Sequence, residues 1–300
     1  SVINLNNSLL DNKRFLNSDL TLLIEGETGT GKSFLAKQIH SASNFKGRFI
    51  QLNVASFSKG LIESELFGHV KGAFTGALRD KMGAIMEADG GTLFLDEIDS
   101  LPLSLQTKLL IFLDSKEVRA VGGFNFRKIK LRIIVASGQC LEELVNNGKF
   151  RKDLYYRVAS GAKVLLPPLR ESKYAIESII GEFSRKENIY ISKDLINFYK
   201  KMTWSGNIRQ LLGHLDKKKI FSTSKRFVYD ENDSYLENDN FENLISVPNR
   251  KFLTFDEMKK SYMEEIYNIT GKNINKGAEI LKVTPNTLRA NLRKVNKLGA

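Results

Sequence analysis

The sequence predicts an α/β P-loop NTPase, a parallel sheet followed by a small helical lid, with a small all-α helix-turn-helix domain added. Three observations carry that prediction. Gly26-Glu27-Thr28-Gly29-Thr30-Gly31-Lys32-Ser33 fits G-x-x-x-x-G-K-[ST] at every position. An apolar run, Thr92 to Leu95, ends in the adjacent carboxylates Asp96 and Glu97. An acidic stretch beyond residue 226 gives way to a basic end in which Glu279 is the only acidic residue after Gly271.

Composition sets the bounds. The 300 residues are 42% hydrophobic and 27% charged, ordinary globular values for about two or three units. A formal charge of +12 fits a polyanionic partner or a merely soluble basic surface equally well. The single cysteine, Cys140, excludes an internal disulfide and fits a reducing cytosol, hence a cytoplasmic protein. No run approaches the ~20 apolar residues of a membrane span, and Ser1 to Asn17 lacks the pattern of a signal peptide. Ser1 stands where a start methionine is expected, so the chain reads as part of a longer protein. His40, His69 and His214 are scattered without metal-ligand spacing.

In chain order, Leu20, Leu22, Leu23 and Ile24 read as a buried strand, and Phe34 to His40 as the helix after it. Backbone N–H groups of Gly26 to Ser33 would converge on a phosphate at that helix's positive end. Lys32 would reach the β/γ phosphates, and Ser33 would hold magnesium. Phe49 to Asn53 alternates like a strand and delivers Asn53 either to a site or to a turn cap. Because ligands bind beyond the carboxyl ends of parallel strands, Asp96 can help hold the magnesium and Glu97 can orient the attacking water. A third strand covers Leu131 to Ala136. Arg151 and Arg157 either pair with Asp153 or act as fingers on a neighbouring subunit's ATP.

Pro167-Pro168 breaks the chain. Ile176, Ile179, Ile180 and Phe183, then Leu195, Ile196 and Tyr199, recur at helical spacing; Arg209 begins a further helix from which it could reach the nucleotide. The expected divisions are an α/β ATPase subdomain 1–168, a helical lid 169–225, an acidic linker 226–251 and a DNA-binding domain 252–300. In the last, Thr254 to Glu257 has capping-box form, and Phe255, Met258, Tyr262, Ile266 and Ile269 give an apolar stripe. A helix follows over about Asn275 to Leu281. Thr284-Pro285 then opens another, with Leu288, Leu292 and Val295 inward and Asn286, Thr287, Arg289, Arg293 and Lys294 toward DNA. Arg289 or Arg293 would read a guanine edge and lysines such as Lys272, Lys276, Lys282 and Lys297 the phosphates; the alternative is a helical hairpin for dimerisation.

Nucleotide chemistry does not require Gly72-Ala73-Phe74-Thr75-Gly76-Ala77. With the motifs above, this hexapeptide resembles the signature loop of the bacterial enhancer-binding proteins, AAA+ ATPases that activate RNA polymerase carrying sigma-54. The resemblance covers nearly the whole chain. It implies the Walker A role for Lys32 and Ser33, the Walker B role for Asp96 and Glu97, and a glutamate switch at Asn53. It likewise implies trans-acting arginines at Arg151 and Arg157, a sensor arginine at Arg209, and a sigma-54 contact at Phe74-Thr75. The C-terminal domain is similar to the family's Fis-type helix-turn-helix. The resemblance further implies a homo-oligomer, from dimer to hexamer ring, that binds enhancer DNA and remodels the closed promoter complex. Three departures stand out. Gly138 occupies the place of a sensor amide, Ser205 that of a proline, and Val70 that of a commoner acidic residue. Two rival functions are a DNA-binding regulator with weakened ATPase, favoured by Gly138, and an AAA+ remodeller of another protein target.

Overall fold

Helices cover both faces of the central sheet, which is why its middle strands carry the apolar runs Leu22 to Ile24, Leu93 to Leu95 and Ile133 to Ala136. In the computed structural model, which describes residues 10–222, 224–230, 233, 259, 262–263 and 266–293, the sheet comprises β1 (Leu22–Glu25), β2 (Phe49–Asn53), β3 (Thr92–Asp96), β4 (Arg132–Ser137) and β5 (Ala162–Leu165). Their order is β2-β3-β4-β1-β5, and every pairing is parallel. The period-2 alternation of strand side chains divides the core in two. Leu22, Ile24, Phe94, Ile134 and Ala136 pack with Leu35, Ala36 and Ile39 of α1 (Lys32–Ala42). Leu23, Leu93, Leu95, Ile133 and Val135 point the other way, into the larger cluster. There they meet α2 (Lys59–Phe67), α3 (Leu103–Ser115), α4 (Leu141–Asn146) and α5 (Lys152–Ala159). The fold is that of an AAA+ P-loop NTPase.

Because β1 lies between β4 and β5, the chain leaving β1 crosses to β2 on one side and later returns to β5 on the other. That reversal makes the carboxyl end of β1 the topological switch point, where such sheets take their ligands.

Beyond β5, α6 (Lys173–Glu187), α7 (Lys193–Tyr199) and α8 (Asn207–Phe221) build a separate core from Ile176, Ile180, Phe183, Leu195, Tyr199, Trp204, Leu211 and Leu215. Ser172 and Ser192 start α6 and α7, accepting from the N–H groups of Ala175 and Leu195. Trp204 donates its Nε1 hydrogen to the Tyr199 carbonyl at 2.8 Å, so burying the indole leaves no unpaired polar atom.

The first part of the expected linker is not a free segment. Arg226–Phe227 pairs in parallel with Tyr190–Ile191, and Phe227 is buried in the lid core. Asp233 is fully buried, 3.0 Å from His214 Nε2 and accepting from Lys218 Nζ at 2.8 Å. A solvated acidic stretch was expected from composition, but at Asp233 the carboxylate finds buried cationic and imidazole partners on α8.

The chain divides into two compact units, Ser1–Asp239 and Asn240–Ala300. The described helices of the second are α9 (Ile274–Ile280) and α10 (Pro285–Arg293). Asn273 caps α9 by accepting from the N–H groups of Asn275 and Lys276. Thr284 Oγ1 accepts from Thr287 N–H at 3.2 Å, the N-cap that the Thr-Pro pair implies. Between the helices Lys282 has φ +51°, a left-handed position that glycine fills more readily. Met263, Ala278 and Leu288 form the small core, flanked by Ile274, Leu281, Val283 and Leu292. The Thr254 to Glu257 capping box, Phe255, Met258, Val295, Lys294, Lys297 and most of the acidic stretch, Glu231 and Glu237 to Glu242 included, lie outside the described residues, as does the Arg293 side chain.

Candidate active site

The carboxyl ends of β1, β3 and β4 open into a cleft of about 730 Å³. Thr28, Gly29, Gly31, Lys32 and Ser33 line one wall, Asp96, Glu97, Asp99, Gly138 and Gln139 another, and Ile179, Phe183, Ile208, Arg209 and Leu212 of the lid a third. Of the residues singled out in sequence, the structure therefore gathers the glycine loop, the carboxylate pair and Arg209 into one cavity. Gly26, Glu27 and Thr30 belong to the same loop without lining the cleft. Thr30 is buried, donating its hydroxyl to the Glu27 carbonyl at 2.8 Å.

Lys32 folds back over the loop, donating from Nζ to the carbonyls of Gly26 at 2.6 Å and Glu27 at 3.0 Å. Burial pushes its pKa down from the ordinary lysine value, while the nearby carboxylates of Asp96, Asp99 and Glu97 pull it back up. Ser33 donates its hydroxyl to Asp96 Oδ2 at 3.1 Å, which puts two oxygen ligands side by side at the start of α1. Glu97 follows with φ +55°, a strained left-handed backbone that turns the chain sharply at the end of β3.

The lid touches the loop directly. A Cβ on Gly29 (φ +82°) would lie 2.2 Å from the Gly206 carbonyl oxygen, so only glycine permits this approach of loop and lid. Arg209 N–H donates to the Gly29 carbonyl at 3.3 Å. The fully buried Asn207 donates from Nδ2 to Glu27 Oε2 and the Thr28 carbonyl, and accepts at Oδ1 from Leu169 N–H. Glu27 also takes a two-pronged pair from Arg170, at 2.6 and 2.8 Å. Those guanidinium hydrogen bonds are the main reason its pKa falls to about 2.

Sequence reasoning missed Asn207, Arg170, Asp99 and Gln139. Asn207 and Arg170 are distant in sequence from the loop they hold, so no local spacing marks them. Ile179 and Phe183 were visible only as members of the stripe that faces the lid core.

Three further expected site residues lie away from the cleft. Asn53 sits on β2 in register with Asp96, but its Oδ1 accepts from Ser56 N–H at 3.2 Å; the side chain caps the following turn, the second of its two readings. Arg151 is bound by Asp153 at 2.7 Å, and Arg157 by Asp114 at 2.8 Å and the Leu113 carbonyl at 3.0 Å. Within this chain, both arginines are exposed side chains in local ion pairs.

A second apparatus lies away from the cleft. Gly68–His69 pairs antiparallel with Lys81–Met82, closing a loop whose tip is Gly72 to Ala77. Gly72 and Gly76 hold positive φ angles of 81° and 101°; Gly72 N–H donates to the Ala77 carbonyl and Ala77 N–H to that of Phe74. Phe74 is 40% exposed and sets its ring edge against His69. A neighbouring loop seats on this base. Val121 and Gly68 to Val70 exchange backbone bonds at 2.9 and 3.1 Å, and Gly122 and Gly123 lie against Val70. Val70 thus makes an apolar contact at the point where an acidic residue is commoner.

The fold and this cleft define a P-loop NTPase of the AAA+ class. Residues 4–162 match the family model described as the Sigma-54 interaction domain, and the chain belongs to that family. It is 37% identical over 298 residues to the luminescence regulatory protein LuxO of Vibrio campbellii, covering 93% of this chain and 65% of that protein. It is 42% identical over 213 residues to the Nif-specific regulatory protein of Klebsiella pneumoniae, covering 69% of this chain and 40% of that one. The crystal structure of NtrX from Brucella abortus in complex with ATP matches with a TM-score of 0.69 and 27% identity, over 100% of this chain and 68% of NtrX. The chain thus spans less than two thirds of the length of these two curated relatives.

The depressed pKa of Glu27 fixes a sign. A carboxyl whose folded-state pKa lies below its ordinary 4.5 contributes stability that is full above pH 4.5 and is lost as pH falls toward 2. Comparing thermal midpoints of the native protein and Glu27→Gln should show a modest deficit at pH 6 to 7, since the pair is exposed. The deficit should narrow between pH 4.5 and pH 3; one that stays constant over that range would show that the charge of Glu27 contributes nothing.

Proposed function

We propose that this chain is the motor and DNA-binding portion of a sigma-54-dependent transcription activator, which hydrolyses ATP in a ring oligomer to remodel the closed complex of RNA polymerase. The single observation that best supports this reading is one cleft lined by Lys32, Ser33, Asp96, Glu97 and Arg209 in a chain that also presents Phe74 and Thr75 on a closed loop. NtrX, which matches the whole of this chain with 68% of its own, was crystallised with ATP.

In this reading, the base of ATP lies against Ile179, Phe183, Ile208 and Leu212, the apolar wall of the cleft. The N–H groups of the loop cradle the phosphates at the positive end of α1. Lys32 exchanges its two carbonyl partners for phosphate oxygens, whose negative charge offsets the burial that disfavours its ammonium. Ser33 Oγ and Asp96 Oδ2 are hard oxygen donors 3.1 Å apart, a set that fits magnesium, an ion usually held by one or two protein oxygens together with phosphates and water. When bound there, magnesium neutralises charge on the β- and γ-phosphates. Glu97 takes a proton from the water that attacks the γ-phosphorus as the bond to the β-bridging oxygen breaks, leaving ADP and phosphate. Arg209 reaches the phosphates from the lid, tying its position to the state of the nucleotide. Among the described residues, no group of three histidine, cysteine or acidic side chains gathers for a metal, so the two oxygens named are the protein's contribution.

Arg151 and Arg157 lie outside their own cleft and act in the neighbour's, leaving Asp153 and Asp114 when the ring closes. Asn53, one strand away from Asp96, serves as the switch by leaving its turn cap for Glu97. Gly72 to Ala77 form the contact to sigma-54. Asn286, Thr287 and Arg289 are exposed on α10 and, with Arg293 and Lys294, face enhancer DNA; Lys272, Lys276 and Lys282 add exposed charge for phosphates. Residues 1–168, 169–225, 226–251 and 252–300 are the working divisions, the first stretch of the third being docked on the lid. No described helix is long and apolar enough to cross a membrane, and a transcription activator would act in the cytoplasm.

Two experiments test the proposal. Lys32→Ala and Arg157→Ala should each lower ATP turnover by about 10³-fold or more, and mixing the two inactive proteins should recover measurable turnover, because mixed interfaces pair an intact cleft with an intact arginine. Full activity of Arg157→Ala alone would rule out the trans role, and so would an inactive Arg157→Ala that shows no recovery on mixing. Thr75→Ala should keep turnover within about twofold and abolish opening of a sigma-54 promoter, as expected when a loop tip contacts the partner without shaping the cleft; loss of both would make the loop structural.

A further inference from the structure

Gly138 lines the cleft beyond the end of β4 without a side chain, yet the cleft still contains a carboxamide. Gln139 is the only asparagine or glutamine lining it among the described residues. We infer that Gln139 supplies from one residue further on the hydrogen-bonding side chain that contacts the γ-phosphate and orients the attacking water.

The anchoring is specific. Asp99, two residues beyond Glu97, accepts three hydrogen bonds from the turn after β4. Ser137 Oγ and Gly138 N–H donate to Oδ1 at 3.0 and 3.2 Å, and Gln139 Nε2 donates to Oδ2 at 3.1 Å. Ser137 also folds the turn on itself: its single hydroxyl hydrogen is shared between Asp99 Oδ1 and the Gln139 carbonyl, 2.7 Å away, and its Oγ accepts from Gln139 N–H at 3.1 Å. One hydrogen on Nε2 is therefore committed to Asp99. The other hydrogen and Oε1 have no protein partner among the described residues, and the side chain borders the cleft that Glu97 also lines.

A primary amide held in this way suits both halves of the task. Its remaining N–H donates to a γ-phosphate oxygen, and Oε1 accepts from the water whose proton Glu97 takes. Asp99 fixes the rotamer and polarises the amide without itself touching the nucleotide; it is the positioning residue. Gly138 then has a second meaning. Its backbone N–H binds Asp99, so the turn that carries Gln139 is tied to the same carboxylate as the amide itself. A Cβ added at Gly138 would meet nothing closer than Thr28 Oγ1 at 3.9 Å, so the position has room for a side chain.

The inference rests on the hydrolytic reading, and the experiment separates the two. In the full chain, Gln139→Ala should lower kcat for ATP by about 10²-fold, the usual effect of removing one donor aimed at developing charge. The dissociation constant for a fluorescent ATP analogue should change less than about threefold and the thermal midpoint should hold. Asp99→Asn should lower kcat in the same direction. Adding Gly138→Asn to Gln139→Ala should return a substantial part of the turnover, because a carboxamide is restored to the same end of β4. Unchanged kcat in Gln139→Ala would overturn the role while leaving the hydrolytic reading intact. So would a parallel loss of binding and thermal stability, which marks a structural side chain. Absence of turnover in the native chain, with ATP bound, would overturn the hydrolytic reading and this inference with it.

Discussion

The contact on which the rest of this structure depends is the one between the glycine loop and the lid. The Gly206 carbonyl sits where a Cβ of residue 29 would be, and Asn207 joins the loop to the start of the lid with three hydrogen bonds from a fully buried side chain. Buried amide groups are costly when unpaired, so loop and lid are held in register by groups that cannot be satisfied separately. This is how the glycine loop on the sheet comes to share one cleft with Arg209, and under the proposed function a change at bound phosphates would be felt by the whole helical subdomain. Glu27, paired with Arg170 and Asn207, closes the same joint from its exposed side.

Much of the fold was legible because it rests on local periodicity. The strands ending at Glu25, Asp96 and Ser137 announce themselves as apolar runs, since a sheet covered on both faces tolerates little else. Lid helices α6 and α7 show their buried stripe at i, i+3 and i+4, and Thr284-Pro285 marks the start of α10 by capping chemistry alone. The strand order was not legible, because it is fixed by which distant segments bury each other. The small ribbon that draws Arg226–Phe227 into the lid was hidden for the same reason. Acidic composition suggested a solvated linker, and only the tertiary structure reveals that His214 and Lys218 await Asp233.

The site divides along the same line. Gly26 to Ser33 and Asp96-Glu97 could be read from sequence because their backbone geometry and chemistry are encoded in consecutive residues. Asn207, Arg170 and Asp99 could not be, since each acts on residues contributed by another element. Gly138 was read as a loss, and in sequence it is one. The structure adds Gln139 beside it, pinned by a carboxylate that no spacing rule would select. Arg151 and Arg157 sit in local ion pairs within one chain, and Arg151 with Asp153 is the pairing that the sequence offered as the alternative to a trans role.

If, as proposed, ATP hydrolysis in the cleft drives remodelling through the Phe74-Thr75 loop, the state of the γ-phosphate governs whether that loop engages its partner. The most direct test is the affinity of the full chain for purified sigma-54 with ADP, with ATP, or with ADP and a planar mimic of the transferring γ-phosphate. The account predicts that binding tightens at least tenfold with the mimic relative to ADP, and that Phe74→Ala removes the gain without altering nucleotide affinity. Equal affinity for sigma-54 in all three states, or a gain that survives Phe74→Ala, would contradict it.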